Sequence, residues 1–157
     1  MPFAIKNYSQ EDCDGVWELH QNTIRENDGF VKNLAFHSDV QDIANTYKAF
    51  FVMHEKGRVI GMVGLKQMDA DTFEVKRLQV ASSHQEQGLA RKLMEHAIAY
   101  ARAHKIQRLR LDHSAPLAKA HNLYLSLGFK ITHVDKQILG PDKEIFLSTF
   151  MQKDLFL

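Results

Sequence analysis

Residues 73–94 read FEVKRLQVASSHQEQGLARKLM. Gln85, Gln87, Gly88, Leu89, Ala90 and Arg91 are residue types that hold an anion on main chain. Gly88 opens a helical pattern, and the first N–H groups of a helix have no intrahelical partner. Together with the positive end of the helix dipole they form a phosphate site. Glycine lets a ligand approach the backbone closely, Ala90 keeps the first turn small, and Gln85 and Arg91 flank it with donors. The same residues serve equally as an ordinary helix start with a glycine near its N-cap. No Gly-Lys-Ser/Thr follows, so this is not a P-loop, and the three-glycine spacing of a dinucleotide fingerprint is missing.

The elements around this stretch follow from periodicity. Phe73, Val75, Leu78 and Val80 lie in an apolar, β-branched run that reads as a buried strand. Ala81 to Gln87 is a small polar loop, and Leu89, Leu93, Ala97 and Ala101 mark one stripe of a helix reaching about His104. Upstream, Phe3–Tyr8 reads as a strand and Ser9 as a helix cap. A helix runs to about Glu26 with Val16, Trp17, Leu19, His20 and Ile24 on its apolar side, and Asn27-Asp28-Gly29 breaks it. The spacing of Val40, Ile43, Ala44 and Tyr47 predicts a second helix after Ser38. Phe50–His54 and Val59–Lys66 form a hairpin around Glu55–Arg58.

Downstream, Arg108–Asp112 alternates as a strand, and Ser114 with Pro116 marks a helix start. Leu117, Ala120, Tyr124 and Leu127 share one face of that helix, and Gly128 ends it. Phe129–Ile138 and Glu144–Met151 are strands joined at Gly140-Pro141-Asp142. The expectation is one α/β domain over residues 1–157, with a mixed sheet of about seven strands and four helices.

Composition narrows the function classes. The 157 residues are 45% hydrophobic and 25% charged, ordinary for a globular domain. Twenty basic against nineteen acidic residues give a net charge of +1, which argues against nucleic acid as partner. The lone Cys13 forms no internal disulfide, which fits a reducing, cytoplasmic compartment. No apolar run approaches membrane-span length and the N-terminus lacks a signal-peptide pattern, so no membrane partner is expected. Nine histidines invite a metal, but none stands in His-Glu-x-x-His or at short zinc spacing, and no metal is expected.

Gln85-Glu86-Gln87-Gly88-Leu89-Ala90 resembles the Gln/Arg-x-x-Gly-x-Gly/Ala motif of the GNAT superfamily of N-acetyltransferases. Glu74–Val80 resembles that family's fourth strand, and Leu123-Tyr124-Leu125-Ser126-Leu127-Gly128-Phe129 its Leu-Tyr-x-x-x-Gly-Phe signature. Two positions depart: Ser82 stands where many relatives carry proline, and Glu86 where many carry a second glycine. The element order matches the family layout along nearly the whole chain.

The resemblance implies acetyl-CoA as co-substrate, lying in a splay between the fourth and fifth strands. The N–H groups of Gln87, Gly88, Leu89 and Ala90 would hold its pyrophosphate, and the Val80 backbone would pair with the pantetheine amides. The Leu78 N–H would face the acetyl carbonyl and stabilise its oxyanion. Tyr124, which on spacing alone reads as a core tyrosine, would by the resemblance protonate the leaving thiolate; a phenol near ~10 facing a thiol near ~8.5 can donate a proton or a hydrogen bond as charge builds on sulfur.

Glu74 would be the base for the amine, or else a strand-end charge paired with Lys76. A lysine-like amine at ~10.4 and a carboxylate at ~4.3 differ by about six units, or ~8 kcal/mol, which burial must close. His113, at the end of the fifth strand, is the second candidate base, with the reading as a loop histidine the stronger one. Leu117 stands where many relatives place a CoA-bonded asparagine. The acceptor, a primary amine of a small molecule, amino acid or protein, is expected between Ile24–His37 and the Asp135–Lys143 turn, with Glu26 and Asp28 as attracting charges. The resemblance also allows a homodimer through the last strands. The rival reading is a non-catalytic acyl-CoA-binding or regulatory module.

Overall fold

Phe50, Phe51, Val52 and Met53 are consecutive and all buried, so their strand is covered on both faces. That strand belongs to a seven-stranded sheet in the computed structural model, which describes residues 3–26, 34–114, 118–139 and 141–156. The strands are β1 (Ala4–Asn7), β2 (Ala49–Glu55), β3 (Arg58–Gln67), β4 (Thr72–Val80), β5 (Arg108–Ser114), β6 (Lys130–Leu139) and β7 (Glu144–Asp154). Their order is β1-β2-β3-β4-β5-β7-β6. Every neighbouring pair is antiparallel except β4 and β5, which run parallel.

The described helices are α1 (Cys13–Glu26), α2 (Ile43–Thr46), α3 (Leu89–Ala103) and α4 (Ala118–Ser126). On one face of the sheet, Leu89, Leu93, Met94, Ala97, Ile98 and Ala101 of α3 pack with Phe51, Val75, Leu109 and Leu111. Tyr124 and Phe129 close this core at the α4 end. On the other face Val16 and Leu19 of α1 pack with Val40, Ile43, Tyr47, Val52 and Met62. The expected single α/β domain with a mixed seven-stranded sheet is therefore what the chain forms.

Several boundaries differ from expectation. The segment after Ser9 enters α1 through a 3-10 turn, Gln10–Asp12, and Ser9 donates both its N–H and its hydroxyl to Asp12 Oδ2. The second helix is much shorter than its apolar spacing predicts. A 3-10 run, Leu34–Gln41, precedes the four-residue α2, and Ala44 is exposed. The Thr46 hydroxyl donates to the Asp42 carbonyl at 2.7 Å, and Tyr47 is already extended at φ −110°. A β-branched residue bonded back to the preceding turn, followed by extended backbone, stops propagation. β5 and β7 run longer than predicted because they pair over Arg108–Ser114 without interruption. The readings at Asn27, Asp28, Gly29, Pro116, Leu117 and Gly140 lie outside the described residues.

Candidate functional site

The parallel pair parts where chemistry was expected. β4 and β5 are in register only at Thr72–Glu74 against Arg108–Arg110. Beyond Arg110, β5 stays with β7 up to Ser114, while β4 stays with β3, so a gap opens between them.

Backbone alternation shows which groups of β4 face that gap. The Ala81 N–H donates to the Ile60 carbonyl at 2.8 Å, so Ala81 faces β3. In an antiparallel ladder successive residues alternate in direction. Val80, and Leu78 before Gln79, therefore turn their N–H and C=O groups away from β3. β4 also bulges here. Met62 opposes Gln79 and Gly64 opposes Lys76, leaving Arg77 and Leu78 both opposite Val63, with Arg77 at φ 58°. An extra residue of this kind re-aims the backbone of its strand.

At the end of β4 a 3-10 turn, Ser82–His84, leads to Gly88 at φ 75°, the N-cap of α3. That conformation suits glycine, and a Cβ built there meets nothing within 4 Å. No side chain caps the turn, and the Lys92 N–H, bonded to the Gly88 carbonyl at 3.2 Å, begins the helix ladder. The main-chain N–H groups of the first turn, Leu89 to Arg91, thus stand ahead of that ladder, beside open space. Leu89 itself is buried as a core side chain. Gln87 is exposed and Ala90 half-buried on this turn.

Gln85 and Arg91, read as flanking donors, are already engaged. Gln85 Nε2 donates to the Val80 carbonyl at 3.2 Å. Arg91 Nη2 donates to Ser126 Oγ, which ties the start of α3 to α4 next to Tyr124. Their side chains build the loop and the α3–α4 seam.

The remaining side chains fall on opposite faces of the sheet. Leu109, Leu111 and His113 of β5 point to the α4 face, where Tyr124 is buried with ring centroids 6.0 Å from His113 and 6.1 Å from Phe129. His113 is not a loop histidine: it is buried, and its Nε2 lies 2.7 Å from Nδ1 of His121. Burial drives the Tyr124 phenol well above its ordinary 10, and the Asp112 carboxylate adds to this. The phenol is therefore protonated at neutral pH.

Glu74, Lys76 and Asp112 alternate onto the other face. Lys76 Nζ lies 3.7 Å from Glu74 Oε1, so the expected pair exists. Burial raises the Asp112 carboxyl; Lys76 opposes this and Glu74 adds to it. Asp112 was not singled out in the sequence. Its strand position beside a pairing carboxylate was the available signal.

The face that carries Glu74 is roofed by α1 and the Leu34–Gln41 segment. His20 of α1 is fully buried, with Nδ1 3.0 Å from Gln79 Nε2 and its ring 4.8 Å from that of His37. Burial, then Arg77 and His37, lower the His20 pKa to about 4, against the Gln79 bond and Asp39. The folded protein thus keeps His20 neutral where an unfolded chain takes a proton near ~6.5. Stability from this source is complete above that value and is lost as pH falls through about 4. Chemical denaturation at pH 7 and pH 5 is expected to show about 2 kcal/mol less stability at pH 5 than the His20→Gln variant's own change accounts for.

A cleft of ≈ 240 Å³ lies along α1, lined by residues including Glu18, Asn22, Glu26, Arg58 and Ser83. Among the described residues its walls include Ala81 and Ser82 after β4 but not Glu74, Leu78 or Tyr124. Glu26 is exposed there, while Asp28 and Leu117 lie outside the described residues. Among the described residues no three His, Cys, Asp or Glu side chains are grouped to hold a metal ion, and no helix is long and apolar enough to cross a membrane.

A family model described as the Acetyltransferase (GNAT) family matches residues 12–129, well over half of the chain, and the protein belongs to that family. Among curated relatives, N-acetyltransferase 8B of Homo sapiens is 34% identical over 110 residues, covering 64% of this chain and 48% of its own. N-acetylaspartate synthetase of Rattus norvegicus is 32% identical over 102 residues, covering 61% of this chain and 34% of its own. The chain thus spans about half the length, or less, of these relatives.

Solved structures share the fold. A putative acetyltransferase, yncA, from Salmonella typhimurium with its cofactor acetyl-CoA superposes at a TM-score of 0.80 and 23% identity, covering 100% of this chain and 96% of its own. The ribosomal-protein-S18-alanine N-acetyltransferase from Escherichia coli gives 0.78 at 20% identity, covering 99% and 95%.

Proposed function

We propose that the protein transfers the acetyl group of acetyl-CoA to a primary amine by direct attack. The observation that carries this reading is the continuity of main-chain donors: Leu78 and Val80 facing the β4–β5 gap, then the uncapped start of α3 at Gly88. The pyrophosphate sits on the N–H groups of Gln87, Gly88, Leu89 and Ala90, and the pantetheine arm lies along Val80. The Gln85 amide yields the Val80 carbonyl to it on binding. The amine enters on the face of Glu74 and attacks the carbonyl, whose oxygen takes the Leu78 N–H. The thiolate leaves toward Tyr124 on the opposite face. Glu74, with Asp112 beside it, receives the ammonium proton directly or through water, and Tyr124 supplies the hydrogen bond and then the proton to sulfur.

The acceptor is set only by class. The relatives' names span an N-acetylaspartate product and a ribosomal-protein alanine. The exposed Ile138 and Ile145, paired across the β6–β7 hairpin, offer the surface on which a second copy packs. A panel of amino acids, polyamines and peptides assayed by thiol release from acetyl-CoA is expected to yield at least one acceptor with turnover far above hydrolysis. Tight acetyl-CoA binding with no turnover on any amine would instead mark a non-catalytic binding module.

A further inference from the structure

The bulge that aims Leu78 is braced from the amine side of the sheet. Arg77, on the bulge, holds φ 58°, a left-handed conformation uncommon for a residue with a side chain. Relaxing it to extended backbone would slip the register by one residue and turn the neighbouring N–H about. Its side chain reaches across to Asp39 in the 3-10 run, with Nε at 2.9 Å from Oδ2 and Nη2 at 2.7 Å from Oδ1. The Tyr47 hydroxyl donates to the same Oδ2. Both members are largely shielded, 16% and 18% exposed, so the fork geometry is held rather than solvated.

The next residue on this face, Gln79, is tied to His20 of α1, and His20 packs on His37, two residues before Asp39. Leu78 is therefore straddled by two tethers, both anchored in the elements that roof the amine side. The two parallel hydrogen bonds of this fork, between residues 38 apart in sequence, set its geometry as well as its energy.

We infer that Asp39 is a positioning residue: through its fork with Arg77 it holds the β4 bulge so that the Leu78 N–H points at the acetyl carbonyl. The inference rests on the acetyl-transfer reading and goes beyond it, because it places control of the oxyanion donor in the segment that borders the acceptor. Asp39 acts through Arg77 and is assigned no contact with acetyl-CoA or the amine.

The test uses the whole chain with an acceptor found in the panel above. Asp39→Asn keeps the shape and loses the charge-assisted fork; Arg77→Lys keeps the charge and loses the planar fork. Each is expected to lower kcat about tenfold while acetyl-CoA Kd, by titration calorimetry, changes less than twofold. The double variant is expected to be no worse than either single one, and the Leu78 amide resonance should move in both while that of Gly88 does not. Normalising kcat to the folded fraction removes a purely structural loss, and Arg77→Lys carries the test should Asp39→Asn fold poorly. Unchanged kcat in folded variants, or Kd weakening in step with kcat, overturns the inference and leaves the acetyl-transfer reading standing. A wild-type protein that turns over no amine removes both.

Discussion

Replacing Tyr124 by Phe is expected to lower kcat about 100-fold while leaving acetyl-CoA affinity within twofold. The lower range of general acid catalysis sets that size. The ring is packed against His113 and Phe129, so Phe fills the same space and the core survives. Only the hydroxyl is lost, and with it the donor proposed to serve the sulfur. Burial holds the phenol above its ordinary value, so it is a weak acid at the outset. In the proposed mechanism it serves first as a hydrogen-bond donor and transfers its proton only once the thiolate has formed. For the same reason kcat should show no falling limb near pH 10 from this group. Turnover equal to wild type across several amines would remove Tyr124 from the mechanism.

Gly88→Asp should weaken acetyl-CoA binding about 100-fold, with no more loss of thermal stability than the equally strained Gly88→Asn shows. Aspartate and asparagine tolerate left-handed backbone better than most residues. At Gly88 an added Cβ meets no neighbour within 4 Å, so only the backbone strain of a side chain at φ 75° opposes the substitution. The carboxylate then occupies the space in front of the first turn of α3. Two like charges about 4 Å apart near a surface repel by about 4 kcal/mol at an effective dielectric of ~20, and a 100-fold loss needs only about 2.7 kcal/mol. Gly88→Asn, equal in shape and neutral, should lose less than tenfold. Titration calorimetry reads both; equal losses in the two variants would point to shape rather than charge, and no loss in either would place the diphosphate elsewhere.

Local pattern made much of this legible. The alternation in β4 and β5, the stripe Leu89–Leu93–Ala97–Ala101 and the terminating Gly128 at φ 93° are all set by neighbours in sequence. So was the helix start at Gly88. What local pattern does not carry is pairing across long separations. Arg77 finds Asp39 across 38 residues and Gln79 finds His20 across 59, and nothing in strand alternation names those partners. The bulge itself was hidden, because one extra residue in β4 leaves an apolar run that still reads as a strand. The Val40–Ile43–Tyr47 spacing does bury those three side chains, but a 3-10 run and a four-residue helix bury them as well as one long helix would. His113 looked like a loop residue because β5 runs on to Ser114, held by β7 rather than by its own composition.

We place the diphosphate on the main-chain amides at the start of α3 and the acyl arm along the backbone of the bulged β4. A crystal structure of the full chain with acetyl-CoA tests this directly. It should show the diphosphate within hydrogen-bond distance of the N–H groups from Gln87 to Ala90, and the thioester carbonyl on the Leu78 N–H. A diphosphate bound away from Gly88, or an acyl arm lying outside the β4–β5 gap, would contradict it.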